Sequence, residues 1–201
     1  TQDSHGSGIY LAFSNNNTIS NNALKESDFF DIFLFNTQCN NIIENNFGSG
    51  DYPIKHFNSQ ANLTDEILSE LILCNADNSR ISGVTISGSQ RLKNNGILAL
   101  KTDNATFDGI NSSNNSFGIF LWESSNGNTI TRGNFLDNGN SGIHLQGSGN
   151  TISDSSFSRN DYGINVVYAT DNTLTNNSIS FNRRSGVYIQ SSGDNILIGN
   201  N

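Results

Sequence analysis

One short pattern recurs four times in the C-terminal half of the chain, and a repeat this short leaves few folds open. Gly118-Ile119-Phe120-Leu121, Gly142-Ile143-His144-Leu145, Gly163-Ile164-Asn165-Val166 and Gly186-Val187-Tyr188-Ile189 follow one another at intervals of 21 to 24 residues. A second pulse comes after each: Asn128-Thr129-Ile130-Thr131, Asn150-Thr151-Ile152-Ser153, Asn172-Thr173-Leu174-Thr175 and Asp194-Asn195-Ile196. Phe135, Phe157 and Ile179 mark a third. Within a pulse the apolar residues alternate, which is the period of a strand. Three short strands per period, with no helical stretch between them, make a solenoid whose coils are built from strands. The predicted fold is all-β: a single-stranded parallel β-helix of about eight coils.

Coils of such a helix stack roughly 4.8 Å apart, so equivalent residues lie above one another. The repeat predicts three inward columns. The first is Ile9, Ile32, Ile97, Ile119, Ile143, Ile164 and Val187; the second is Ile19, Ile42, Ile81, Phe107, Ile130, Ile152, Leu174 and Ile196. The third is Leu24, Phe47, Ile86, Phe135, Phe157 and Ile179. Asparagines at the turns tolerate left-handed backbone and can bond to the asparagine above and below. Asn17, Asn40, Asn128, Asn150 and Asn172 form one expected ladder, and Asn138, Asn160 and Asn182 another.

At 201 residues the chain is expected to be one domain, 1–201, interrupted by an insertion. Leu71-Ile72-Leu73 arrives 40 residues after Asp31 instead of the usual 23 or so, which places about 17 extra residues within 48–70. The apolar spacing of Leu63, Ile67, Leu68 and Leu71 after Asn62 predicts a short helix there. Thr1 to Ser7 read as the tail of an unfinished coil, and neither end shows a capping segment. A net charge of -8 without a basic stripe argues against nucleic acid. No apolar run approaches the roughly 18 residues of a membrane span. Three scattered His, two Cys and no Met give no metal-ligand spacing, and no cofactor motif is present.

The outward positions beside the first column are unusually apolar: Tyr10, Phe33, Leu98, Phe120, His144 and Tyr188, flanked by Phe35 and Trp122. Three explanations fit such a stripe. The 48–70 insertion folds back over it, it is a protein contact face, or it is a platform for sugar rings. His144 has no facing pair of acids in the pattern, so no catalytic residues are assigned. Cys39 and Cys74 are out of step in the repeat, which makes a bridge within the chain unexpected. They are expected to be free buried thiols, or, if both are exposed, to form intermolecular disulfides.

The Gly-Ile-x-Leu, Ser-x-x-Asn-Thr-Ile and Asn-x-Phe/Ile pattern resembles the NosD-like repeats of the CASH group of carbohydrate-binding proteins and sugar hydrolases. The likeness covers the chain except 48–70 and implies a right-handed β-helix of the archaeal or bacterial surface type. It lies in scaffold positions, and the epimerase-type Tyr-Gly-Phe-Asp-Pro-His-like run of related proteins is absent. The expected function is therefore a non-catalytic extracellular or cell-surface structural protein of an envelope, sheath or surface array. It would associate with itself or with other envelope proteins through uncapped ends and the aromatic face. The alternative is a carbohydrate-active or carbohydrate-binding module acting on a polysaccharide through the same face.

Overall fold

A computed structural model describes residues 6–201 and shows three parallel sheets wound into one solenoid. The first sheet carries the Gly-Ile pulses, stacking Glu70–Cys74, Ile97–Leu100, Phe117–Trp122, Ser141–Leu145, Tyr162–Val167 and Ser185–Gln190. The second runs from Asn62–Thr64 to Ile196–Ile198, and the third from Ile67–Leu68 to Ser178–Ser180. The result is a right-handed parallel β-solenoid of about eight turns. The expectation for Thr1 to His5 lies outside the described residues.

The inner columns follow the repeat closely from residue 70 onward. Leu71, Ile97, Ile119, Ile143, Ile164 and Val187 pair residue for residue up the first sheet. Ile81, Phe107, Ile130, Ile152 and Leu174 do the same in the second. The top of that column is Leu197 instead of Ile196, and at the other end Ile43 pairs with Ile19 where Ile42 was expected. In both places two apolar residues are adjacent, and the register puts the second one inside: Ile43 is 5% exposed against 54% for Ile42.

The Gly of the Gly-Ile pulse has a steric cause. A Cβ on Gly142 would lie 2.6 Å from the Phe157 ring and 2.7 Å from the Gly163 carbonyl, so the corner closes only without a side chain.

The asparagine ladders close the corners. Asn128, Asn150, Asn172 and Asn195 are joined by side-chain hydrogen bonds at 3.0 to 3.1 Å, and Asn150, Asn172 and Asn195 each also accept from the backbone N–H of the asparagine below. A second file joins Asn138, Asn160 and Asn182. A third, not anticipated, joins Asn177 to Asn200. Asn17 pairs with Asn41, while Asn40 pairs with Asn16 one position outward.

The 48–70 segment is not a helical appendage but a coil of the solenoid. Its residues form Pro53–Phe57, Asn62–Thr64 and Ile67–Leu68, with Leu63 beneath Ile81 and Leu68 beneath Ile86. A helix would have buried Ile67, which is exposed, and Asp65 takes the left-handed corner conformation (φ 52°) that interrupts helical winding.

This first coil is also closed below. Lys55 occupies the inner position under Leu71 and pairs with Glu66, and Asn46–Phe47 lies antiparallel along Pro53–Phe57. The expectation that neither end is capped therefore fails at this end.

Before that antiparallel strand the chain makes a separate two-coil stack. Ile9–Ala12 pairs with Ile32–Phe35, and Thr18–Ser20 with Ile42–Glu44. A tight 3-10 turn at Ser49–Asp51 reverses the chain, with Gly50 and Asp51 in left-handed backbone. Ile9 and Ile32 thus face each other but do not extend the main column, and Phe47 is exposed instead of inward.

Replacing Asn150 by Ala leaves the backbone N–H of Asn128 and one of its two Nδ2 hydrogens without an acceptor in the interior, the other keeping the Thr102 carbonyl. The loss in chemical denaturation is expected to be about 2–5 kcal/mol, and a loss below about 1 kcal/mol would show that the ladders do not hold the corners.

Candidate functional site beneath the N-terminal coils

The predicted stripe is real, but the two N-terminal coils lie on it. A second apolar core joins Phe30, Ile32, Phe33 and Leu34 from those coils to Ile72, Leu98, Leu100, Phe117 and Phe120 on the outer face of the first sheet. The rings interlock: Phe30 stacks on Phe117 at 6.2 Å, Phe29 meets it edge-on at 5.7 Å, and Phe117 stacks on Phe120 at 4.6 Å. The cover is thus the N-terminal stack and not the 48–70 insertion.

Leu98, Phe120 and Phe33 are buried, Phe35 and Trp122 are half-buried, and neither a partner nor a sugar can reach the centre of the stripe. What stays open is its margin. Tyr10 is 56% exposed and stacked on Phe33 at 5.7 Å, while Tyr188 leans on Tyr162 at 5.3 Å.

His144 sits at the boundary between the covered and open halves, against Phe117, Phe120 and Trp122. Burial lowers its pKa to about 4, so it is neutral near pH 7. Its Nδ1 is hydrogen-bonded to the Asn165 side-chain amide at 3.1 Å, and its Nε2 is buried without a hydrogen-bond partner. A neutral imidazole held this way packs as an aromatic ring. His56, on the first coil, is likewise lowered to about 4 by burial. Among the described residues no group of three His, Cys, Asp or Glu side chains is placed to hold a metal ion.

Two features fasten the cover. Cys39 and Cys74 are joined in a disulfide within the chain, with Cα atoms 5.3 Å apart, so the expectation of free or intermolecular thiols is corrected. The repeat register put them apart because it assumed that the first coils continue the main stack; the reversal at Ser49–Asp51 brings them together. Beside the bridge, Lys101 donates to the Thr37 carbonyl at 2.6 Å, and Glu123 accepts from the Asn36 N–H.

The second feature is a pair of fully buried carboxyl groups, Asp31 and Glu70. Asp31 accepts hydrogen bonds from Ser27 Oγ (3.0 Å), Asn94 Nδ2 (3.0 Å), Asn95 Nδ2 (2.7 Å) and the Ser49 N–H (3.2 Å). Glu70 Oε2 accepts from the Ile32 N–H at 3.0 Å, while Oε1 has no partner.

Burial raises both, and the Asp31 charge raises Glu70 further, well above the ordinary 4.5. Because the donors converge on Asp31, the proton belongs on Glu70. Gly48 is required here, since a Cβ would stand 2.2 Å from Ser69 Oγ and 2.5 Å from Asp31 Oδ2.

Sequence reasoning missed this pair, although it leaves a trace. Asp31 and Glu70 precede Ile32 and Leu71 at the position where Gly96, Gly118, Gly142, Gly163 and Gly186 precede the first-column residue elsewhere.

Residues 70–201 match a family model described as a right-handed beta helix region, so the match begins at Glu70 and leaves the N-terminal coils outside. No curated protein matches the chain. One similar solved structure is HetL, a pentapeptide repeat protein involved in heterocyst differentiation regulation from the cyanobacterium Nostoc sp. strain PCC 7120. It is 13% identical, with 92% of this chain and 87% of that chain covered and a TM-score of 0.26, too distant to carry an argument about this one.

Removing the bridge by Cys39→Ala with Cys74→Ala opens a loop with a sequence separation of 35. The expected loss is about 3–4 kcal/mol, with the N-terminal coils becoming the first site of limited proteolysis. Unchanged stability and protection would mean that the apolar contact alone holds them.

Glu70 gives a second expectation, about pH. A raised folded pKa stabilises fully below the unfolded value, and that stability is lost as pH rises toward the folded value. Wild-type stability should therefore decline as pH rises out of the ordinary carboxylate range toward the raised value, and Glu70→Gln, which stays neutral, should flatten that slope. Equal slopes in the two proteins would place the proton elsewhere.

Proposed function

We propose that this member of the right-handed β-helix family is a non-catalytic structural protein of the NosD-like, CASH type that works at the cell surface by associating through exposed strand edges. The observation that carries this is a layer of unpaired strand edges beside exposed apolar side chains. The first coil is closed by the Lys55–Glu66 pair and an antiparallel strand. In the last coil Ser178–Ser180, Ser185–Gln190 and Ile196–Ile198 are paired on one side only, and Ile189, Ile196, Leu197 and Ile198 are all exposed.

Open strand edges beside exposed apolar residues form a surface that another strand layer can complete. The buried stripe no longer supports contact through the aromatic face, so the association is assigned to this end. The Cys39–Cys74 bridge supports an oxidising, extracellular setting.

Light scattering coupled to size exclusion over a range of concentrations tests the reading. Association is expected, and Leu197→Asp should abolish it while leaving the N-terminal coils intact. A wild-type protein that stays monomeric at high concentration overturns it.

A hollow of about 480 Å³ favours a second reading, a carbohydrate-binding module. Tyr10, Phe29 and Phe33 line it beside Gly6 and Ser7, and an exposed tyrosine ring is a stacking surface for a sugar. On a glycan array this reading requires a signal that Tyr10→Ala removes.

A further inference from the structure

The asparagine files have a direction. The backbone N–H and side-chain amide of one asparagine donate to Oδ1 of its equivalent in the following coil, as Asn150 does to Asn172 and Asn172 to Asn195. The N-terminal stack obeys the same rule: Asn17 donates twice to Asn41, and Asn22 twice to Asn46. A file of this kind presents donors at one extremity and acceptors at the other.

The C-terminal coil carries the donors. Asn195 and Asn200 accept from Asn172 and Asn177, but their own backbone N–H groups make no hydrogen bond among the described residues. The N-terminal coil carries the acceptors. Asn17 and Asn22 donate to the coil that follows, while Oδ1 of each accepts nothing among the described residues.

The two coils also share one phase. Ser185-Gly186-Val187-Tyr188-Ile189 matches Ser7-Gly8-Ile9-Tyr10-Leu11 in kind and order. Eight positions separate Val187 from Asn195 and Ile9 from Asn17, and five separate Asn195 from Asn200 and Asn17 from Asn22. Other coils differ, with nine positions from Ile119 to Asn128 and seven from Ile143 to Asn150, so this match is not a general property of the repeat. Stacking the two coils would set Ile189 on Leu11 and Leu197 on Ile19, covering apolar side chains that the C-terminal coil leaves exposed. Tyr188, which leans on Tyr162, would meet Tyr10, which stacks on Phe33.

The N-terminal coil is accessible because the stack is docked through its other coil, where the Ile32 N–H reaches Glu70.

We infer that the C-terminal coil pairs with the N-terminal coil of a second copy of this chain, in parallel register, with Asn195 donating to Asn17 and Asn200 to Asn22. This rests on the association proposed above and names the surface that receives it. Two C-terminal coils brought together would set donor against donor, which disfavours a symmetric pair. The contact is heterologous, so it builds rings or open chains.

Cysteine crosslinking tests the register. Thr18 and Ile196 each follow a file asparagine, are exposed, and lie directly opposite in the proposed contact. Adjacent coils are about 4.8 Å apart, within disulfide reach. Ile42, also exposed, stands one coil beyond Thr18, at roughly twice that distance and out of reach. Thr18→Cys and Ile196→Cys are prepared as separate proteins and mixed under mild oxidation; native Cys39 and Cys74 are buried in their own bridge.

The mixture is expected to give on the order of tenfold more covalent dimer than Ile42→Cys mixed with Ile196→Cys, or than either protein alone. Should one variant fail to fold, Tyr10→Cys with Tyr188→Cys makes the same comparison. Ile196→Cys bridging to itself as readily as to Thr18→Cys overturns the assignment. So does a mixture without bridged dimer when the wild-type protein associates in light scattering, and in both cases the association itself stands. A monomeric wild-type protein overturns both.

Discussion

Parallel register between successive coils is the constraint on which the rest of the structure depends. In this solenoid the backbone of each coil is hydrogen-bonded to the coils above and below it, so a residue's environment is set by its equivalents about 22 positions away. Isoleucine above isoleucine fills a narrow shaft, and asparagine above asparagine satisfies corner groups that a strand ladder leaves unpaired. The same register makes the glycines before Ile97, Ile119, Ile143 and Ile164 a steric necessity, because a Cβ would run into the coil above.

The N-terminal coils obey this rule among themselves and break it once. After Phe47 the chain reverses, and a pair of coils that could have lengthened the shaft is laid across its outer face. That placement buries an aromatic surface that would otherwise be exposed to water, a gain proportional to the apolar area covered. It also forces two carboxyl groups into the interior, where one is stabilised by converging amide and hydroxyl donors and the other by keeping its proton. The disulfide then removes from the unfolded chain many of the conformations in which cover and shaft are apart.

Charge is distributed in pairs. Near the corner that the longer 88–96 loop overhangs, Arg91, Arg159, Arg183 and Arg184 are each paired with an acid. A solenoid suits such local elaboration: a corner can lengthen without disturbing the strands on either side, since each coil contacts little beyond its neighbours.

The amino-acid sequence by itself determined the coil. The spacing of Gly118, Gly142, Gly163 and Gly186, the apolar columns above residue 70 and two of the asparagine files could be read directly, because like residues must stack for the fold to exist. It misplaced Ile42 and Ile196, where two adjacent apolar residues made the inward one ambiguous. It also read Asn62 to Glu70 as a helix, since apolar spacing over so few residues suits either period. Tertiary structure alone decided the rest: that the chain reverses at Ser49–Asp51, that Cys39 meets Cys74, and that Asp31 and Glu70 meet beneath the cover. A repeat fixes what lies one coil away, but a single reversal can bring together residues from unrelated phases of it, and no periodicity in the sequence records that contact.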